Sequence, residues 1–77
     1  MQSLESNLRE AAREAFRMYP EIYHADQPTD EKQIEELAHA YGIDDGFFDA
    51  GMSWEQVRSA VFAEWSQWVN DCKEVEA

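Results

Sequence analysis

Apolar residues in this chain recur at the helical period from one end to the other and nowhere alternate as a strand requires. Leu4, Leu8, Ala11, Ala12, Ala15, Phe16 and Tyr19 make one stripe, with Ser3 placed to cap it. Arg9, Arg13 and Arg17 fall on the other side, each behind an acid three or four positions earlier, as Glu5 before Arg9 and Glu14 before Arg17. Pro20 ends this first helix, because it lacks an amide hydrogen and its ring collides with the carbonyl four residues back. Residues 20–28 read as a linker with room for one helical turn, pinned to the core by Ile22 and Tyr23.

Thr29 after Pro28 is a good N-cap, and Asp30 and Glu31 suit the positive end of the helix dipole. This second helix is expected to reach about Tyr41 with Ile34, Leu37, Ala38 and Tyr41 inward. Gly42 is then expected to supply the left-handed residue that ends it, and Ile43 the apolar contact that follows. Asp44 would cap a short third helix, 45–50, closed by Gly51. The clearest start signal belongs to the fourth helix, where Ser53 with Gln56 forms a capping box and Met52 with Val57 a hydrophobic staple. Its buried face is expected to hold Trp54, Val57, Val61, Trp65, Trp68 and Cys72, widened by Phe62 and Val69. The fold class expected is all-α: one domain, 1–77, a compact small bundle of three longer helices plus one short helix.

A 77-residue domain has little core to set against its ordering entropy of roughly 1.5 kcal/mol per residue. Its aromatic side chains are therefore expected mostly inside. One cysteine forms no internal disulfide and fits a reducing cytoplasm. The first ten residues do not read as a signal peptide, and no apolar stretch approaches the length of a membrane span. Net charge is −11 and unevenly placed. Residues 1–19 balance three glutamates with three arginines, whereas residues 20–57 hold ten acids against Lys32 alone, for −9. Such a field repels nucleic acid and anionic membrane and attracts basic protein surfaces.

The stretch 42–54, GIDDGFFDAGMSW, concentrates the chain's three glycines, three aspartates and two adjacent phenylalanines. A calcium loop fails on spacing: starting at Asp44 places Gly46 and Phe48 at oxygen-ligand positions, and starting at Asp45 places Gln56 where a bidentate glutamate belongs. Ala38, Gly42, Ile43 and Phe48 have the spacing of a helix-turn-helix corner. Its would-be recognition helix carries Asp44, Asp45 and Asp49 and no base, the wrong sign for phosphate. Glu36 and His39 form an E-x-x-H pair, but a di-iron bundle needs a second pair and two further glutamates, and the other histidine, His24, lies in the linker. No serine or cysteine has a histidine at a nucleophile's spacing, and Cys72 sits among acids that oppose a thiolate. No catalytic, cofactor-binding or metal-ligating residue is therefore assigned, and no enzymatic activity is expected.

An acidic surface with aromatics set into it remains. Glu31 with Glu35, and Asp45 with Asp49, stand four residues apart, about 6 Å along a helix, close to two phosphate steps of about 3.4 Å on a strand. Each like-charge pair costs roughly 0.2–0.5 kcal/mol, so the surface is kept at some expense to stability. In size, acidity and helical character the chain resembles small phage-encoded inhibitors of the anti-CRISPR and DNA-mimic type, a likeness of charge and length without a motif. Its element order also resembles the immunity proteins of nuclease colicins, with Phe47 and Phe48 standing where those place a tyrosine pair. The expected function is a non-enzymatic inhibitor that acts in the cytoplasm, that of the host if the chain is phage-encoded. It would bind and block the basic, nucleic-acid-binding surface of a partner protein, with no direct contact to nucleic acid or membrane. Asp44, Asp45, Asp49, Glu31, Glu35 and Glu36 would supply steering and ion pairs, and Phe47 or Phe48 an anchor. One of the two phenylalanines is expected in the core and the other at the surface. The alternatives are a helical adaptor that self-associates through its aromatic fourth helix and a nuclease-immunity-like protein; monomer and dimer are both open.

Overall fold

The computed structural model describes residues 3–23 and 31–76, with side chains as far as Asp71. These form α1 (Leu4–Met18), α2 (Pro20–Tyr23), α3 (Glu31–Asp44) and α4 (Trp54–Glu76), and no strand occurs among them. The all-α bundle of three longer helices and a short one is what the chain builds. The short helix, however, is α2, where one turn was allowed for, while residues 47–51 form turns in place of the expected helix 45–50. The Thr29 cap, Asp30, His24 and the Cys72 side chain lie outside the described residues.

The first helix starts as its sequence requires, with the Ser3 hydroxyl accepting from the Ser6 amide at 3.1 Å. It stops at Met18 because Pro20 cannot continue it; the proline instead occupies the first position of α2, where its missing amide costs nothing. The Tyr19 carbonyl accepts from the amides of both Ile22 and Tyr23, which closes that single turn.

Helix α4 packs against both α1 and α3. The fully enclosed apolar side chains are Leu8, Ala12 and Phe16 from α1, Ile34 and Ala38 from α3, and Val57, Ala60 and Val61 from α4. The expectation that most aromatics are core needs correction. Phe16 alone is enclosed; Tyr23, Tyr41, Phe47, Phe48, Trp54, Phe62, Trp65 and Trp68 are half-buried around the core, and Tyr19 is exposed. Alanines at the seams bring helices close, and an indole does not fit between axes about 8–10 Å apart. The rings therefore clad the sides of a narrow core. The Trp68 indole N–H donates to the Tyr23 carbonyl at 3.0 Å and ties α4 to α2.

The inner face of α4 is rotated from the expected one, running through Val57, Ala60, Val61 and Glu64. Glu64 is only 6% exposed. Its carboxylate accepts from Nε and Nη2 of Arg13 at 3.2 and 3.0 Å, with Nη1 of Arg9 at 3.9 Å. Arg9 also keeps the expected pairing with Glu5, at 3.1 Å. Arg13, expected to meet an acid of its own helix, instead lays its fork across α4. Two parallel charge-assisted bonds are the geometry in which a guanidinium satisfies both oxygens of a carboxylate. These hydrogen bonds, then the charge of Glu64, raise the Arg13 pKa above its ordinary value.

On the remaining side, the Tyr41 hydroxyl donates to the Ala11 carbonyl at 3.0 Å and joins α3 to α1. Burial, then the charge of Asp45, pushes this phenol up to about 12 from its ordinary 10.0.

Two outcomes follow from these contacts. Arg13→Met leaves a buried carboxylate short of its main partner, whereas Glu64→Met leaves only arginines that already reach water. Thermal unfolding should therefore place Arg13→Met well below Glu64→Met; the reverse order would show that the pair is incidental. For Tyr41, the folded phenol holds its proton to about pH 12 and the unfolded one only to about 10, so its contribution is complete below pH 10 and lost as pH rises through 12. Tyr41→Phe should cost about 1 kcal/mol at neutral pH and flatten the alkaline fall in stability. Part of that fall should persist, because burial also raises Tyr23.

Candidate functional site

The acidic residues singled out by sequence lie on α3 and on the chain between α3 and α4. Their placement depends on how α3 ends. Ile34, Ala38 and Gly42 share one buried stripe at intervals of four, so Gly42 belongs to the helix interior and is not its left-handed terminus. A Cβ at Gly42 would overlap the Phe48 ring, which lies directly over the glycine backbone. The Phe48 amide donates to the Gly42 carbonyl at 3.0 Å. Helix α3 thus runs one turn past the expected end, to Asp44, with the Asp45 amide donating to the Tyr41 carbonyl.

The reversal occurs at Gly46, whose φ of 81° is in the left-handed region. A single closed turn follows. The Gly51 amide donates to the Phe48 carbonyl and the Met52 amide to the Phe47 carbonyl, the paired bonds of a Schellman ending, with Gly51 at φ 112°. The capping box forms as expected: the Gln56 amide donates to the Ser53 hydroxyl at 3.2 Å, and the Ser53 amide donates to the Gln56 side-chain oxygen at 2.9 Å. Trp54 then stacks on His39, with centroids 4.0 Å apart and planes at 19°, and meets the Phe48 ring edge-on at 6.4 Å. Two glycine turns, a cap and three rings thereby hold residues 44–54 in one shape.

On this frame Asp44, Asp45 and Asp49 are exposed around the turn, and Glu31 and Glu36 are exposed on α3. Glu35 is not free: it accepts from Nε of Arg58 at 3.0 Å, and that guanidinium also covers the Phe62 ring at 4.3 Å. The six acids do not converge. Glu31 and Asp44 stand at opposite ends of α3, about 20 Å apart at 1.5 Å per residue. The cluster proper is Asp44, Asp45 and Asp49, with Glu36 two helical turns before Asp44 on the same row.

Neither phenylalanine is at the surface. Phe48 lies over Gly42 and against Trp54, and Phe47 packs on the core, so both are half-buried. The large apolar side chain that stands among the aspartates is Ile43, 65% exposed. Since α3 continues past Gly42, Ile43 does not fold back on the helix and instead projects from the row Glu35, His39, Ile43. That residue was missed because Gly42 was read as a terminus; the spacing Ile34, Ala38, Gly42 would have placed it outward.

His39 is exposed and its ring is taken up by Trp54, and its E-x-x-H neighbour Glu36 points to solvent. Among the described residues no three His, Cys, Asp or Glu side chains are grouped as metal ligands, and no helix is long and apolar enough to cross a membrane. What the face offers is charge around one exposed aliphatic side chain, on a rigid turn.

Gly42→Ala tests the geometry of that turn. Alanine gains up to about 1 kcal/mol of helix propensity but loses about 1–3 kcal/mol to overpacking against Phe48, so urea unfolding should show a net loss. In a Phe48→Ala background the clash is gone and the same substitution should become stabilising. An unchanged sign in both backgrounds would mean that the ring does not rest on this glycine.

The chain matches no protein-family model, no curated protein and no solved structure.

Proposed function

We propose that this protein is a non-enzymatic inhibitor whose acidic face occupies the basic, nucleic-acid-binding surface of a partner protein, such as a CRISPR effector or another nucleic-acid enzyme, and blocks it by competition. The observation that carries this reading is the exposure of Asp44, Asp45 and Asp49 on a turn that the fold holds rigid, with no base near them in sequence. From Glu31 to Ser53 there are six acids and only Lys32 to offset them. A field of that sign accelerates encounter with a basic groove and disfavours acidic competitors. A preorganised turn also binds without paying to order itself.

The half-burial of Phe47 and Phe48 changes the expected anchor. Ile43, flanked by Asp44 and Asp45 in sequence and in line with His39 on α3, takes that role: an apolar centre ringed by charge, the usual anatomy of a binding hot spot. Glu35 is held by Arg58 and acts on the partner only through the general field. Self-association through the aromatic α4 has less support, because Trp54, Trp65 and Trp68 pack against their own core. The immunity-like alternative also loses its exposed aromatic pair.

The test is a lysate capture with the wild-type chain and with Asp45→Lys/Asp49→Lys, followed by nucleic-acid displacement on the purified captured protein. The double variant moves net charge from −11 to −7 by reversing two acids. Exposed changes of this kind move stability by less than about 0.5 kcal/mol, so helical circular dichroism should be unchanged. Capture and displacement should be lost in the variant and should weaken steeply with salt for the wild type. Equal binding by both proteins would reduce the turn to a structural corner.

A further inference from the structure

A second surface stands apart from the acidic face. Met18, Tyr19 and Ile22 are 67%, 46% and 41% exposed, and three of the five large exposed apolar side chains among the described residues thus fall within five positions. They sit at the corner where α1 gives way to α2. The neighbouring exposed charges are Glu14, Arg17 and Glu21, of both signs. Together α1 and α2 carry four glutamates against three arginines, the least acidic part of a chain whose net charge is −11.

We propose that this corner is a self-association surface through which two copies of the chain pair about a twofold axis. The choice of occupant follows from charge. Nucleic acid and anionic lipid are repelled by the molecule as a whole, and a basic protein is drawn to the aspartate turn. A second copy brings the same apolar trio and the same alternating charges, so that the Arg17 of each copy faces a glutamate of the other while Met18, Tyr19 and Ile22 meet across the axis. An isologous contact requires this kind of self-complementary patch. Three side chains cover much less than the roughly 800 Å² per partner of a standard interface, so the pairing is weak and concentration-dependent. It is independent of the acidic face and of the inhibitor reading.

Sedimentation velocity on the full chain from about 1 μM to about 1 mM, the span of weak association, tests it. A monomer–dimer equilibrium is expected. It should tighten as salt rises from about 50 to about 500 mM, because salt screens the repulsion between two chains of like charge. Met18→Lys should weaken the dimer about tenfold or more, even though it lowers the net negative charge and by charge alone would help pairing. Ile43→Lys, on the other face, should leave it unchanged. A monomer at every concentration overturns the proposal. So does a dimer that salt dissociates, which would be held by ion pairs, or one lost in Ile43→Lys and kept in Met18→Lys. Circular dichroism of each variant separates these outcomes from misfolding.

Discussion

The path of the chain from α3 to α4 depends on one missing side chain. Because Gly42 has no Cβ, the Phe48 ring lies directly on the α3 backbone, and the segment after Asp44 returns close along the helix it has just left. From that contact follow the reversal at Gly46, the closed turn ending at Gly51 and the capping box that opens α4. The acidic face is the outer surface of this return. Its three aspartates are at the surface because the two phenylalanines between them are turned inward, a division of labour along six consecutive residues, Asp44 to Asp49.

A second constraint acts on the far side of α4. The enclosed core has only eight apolar side chains, three of them alanine, and such smooth seams do not by themselves select one sliding position of α1 against α4. Glu64 lies in line with Val57, Ala60 and Val61, and the two bonds from Arg13 are satisfied at a single register. An arginine with its head in reach of water and its stem along the helix supplies the counter-charge with less desolvation than a fully buried pair would incur. The aromatic cladding then covers the sides of the seam, Trp68 through its bond to Tyr23 and Phe62 beneath Arg58.

Most of the architecture was legible in the sequence, because local signals and apolar period agreed: Ser3, Pro20 and the Ser53–Gln56 box all act as their chemistry predicts. The errors came where a residue type has two uses. A glycine after a helical stretch serves either as a left-handed terminus or as a close-approach site, and Gly42 is the second kind; Ile43 and the phenylalanine pair were misplaced as a result. Arginines with a local acid partner read as solvated, and nothing in the spacing of Arg13 betrays an acid 51 positions away. The candidate site was legible as charge, which local sequence carries, and illegible as shape, which depends on contacts between distant segments.

Helix α4 is last in chain order among the described elements, and every large enclosed contact of α1 and α3 is made with it or beside it. During synthesis the first two-thirds of the chain therefore emerge with apolar stripes that have no common surface to cover. The Arg13–Glu64 bond closes a loop of 51 residues, and such closures are delayed by chain entropy until local helices have formed. The acidic turn, by contrast, lies within the compact stretch from α3 into α4. The nascent chain would thus complete its charged face before it completes its fold, and its high negative charge keeps unfinished copies apart in the interval.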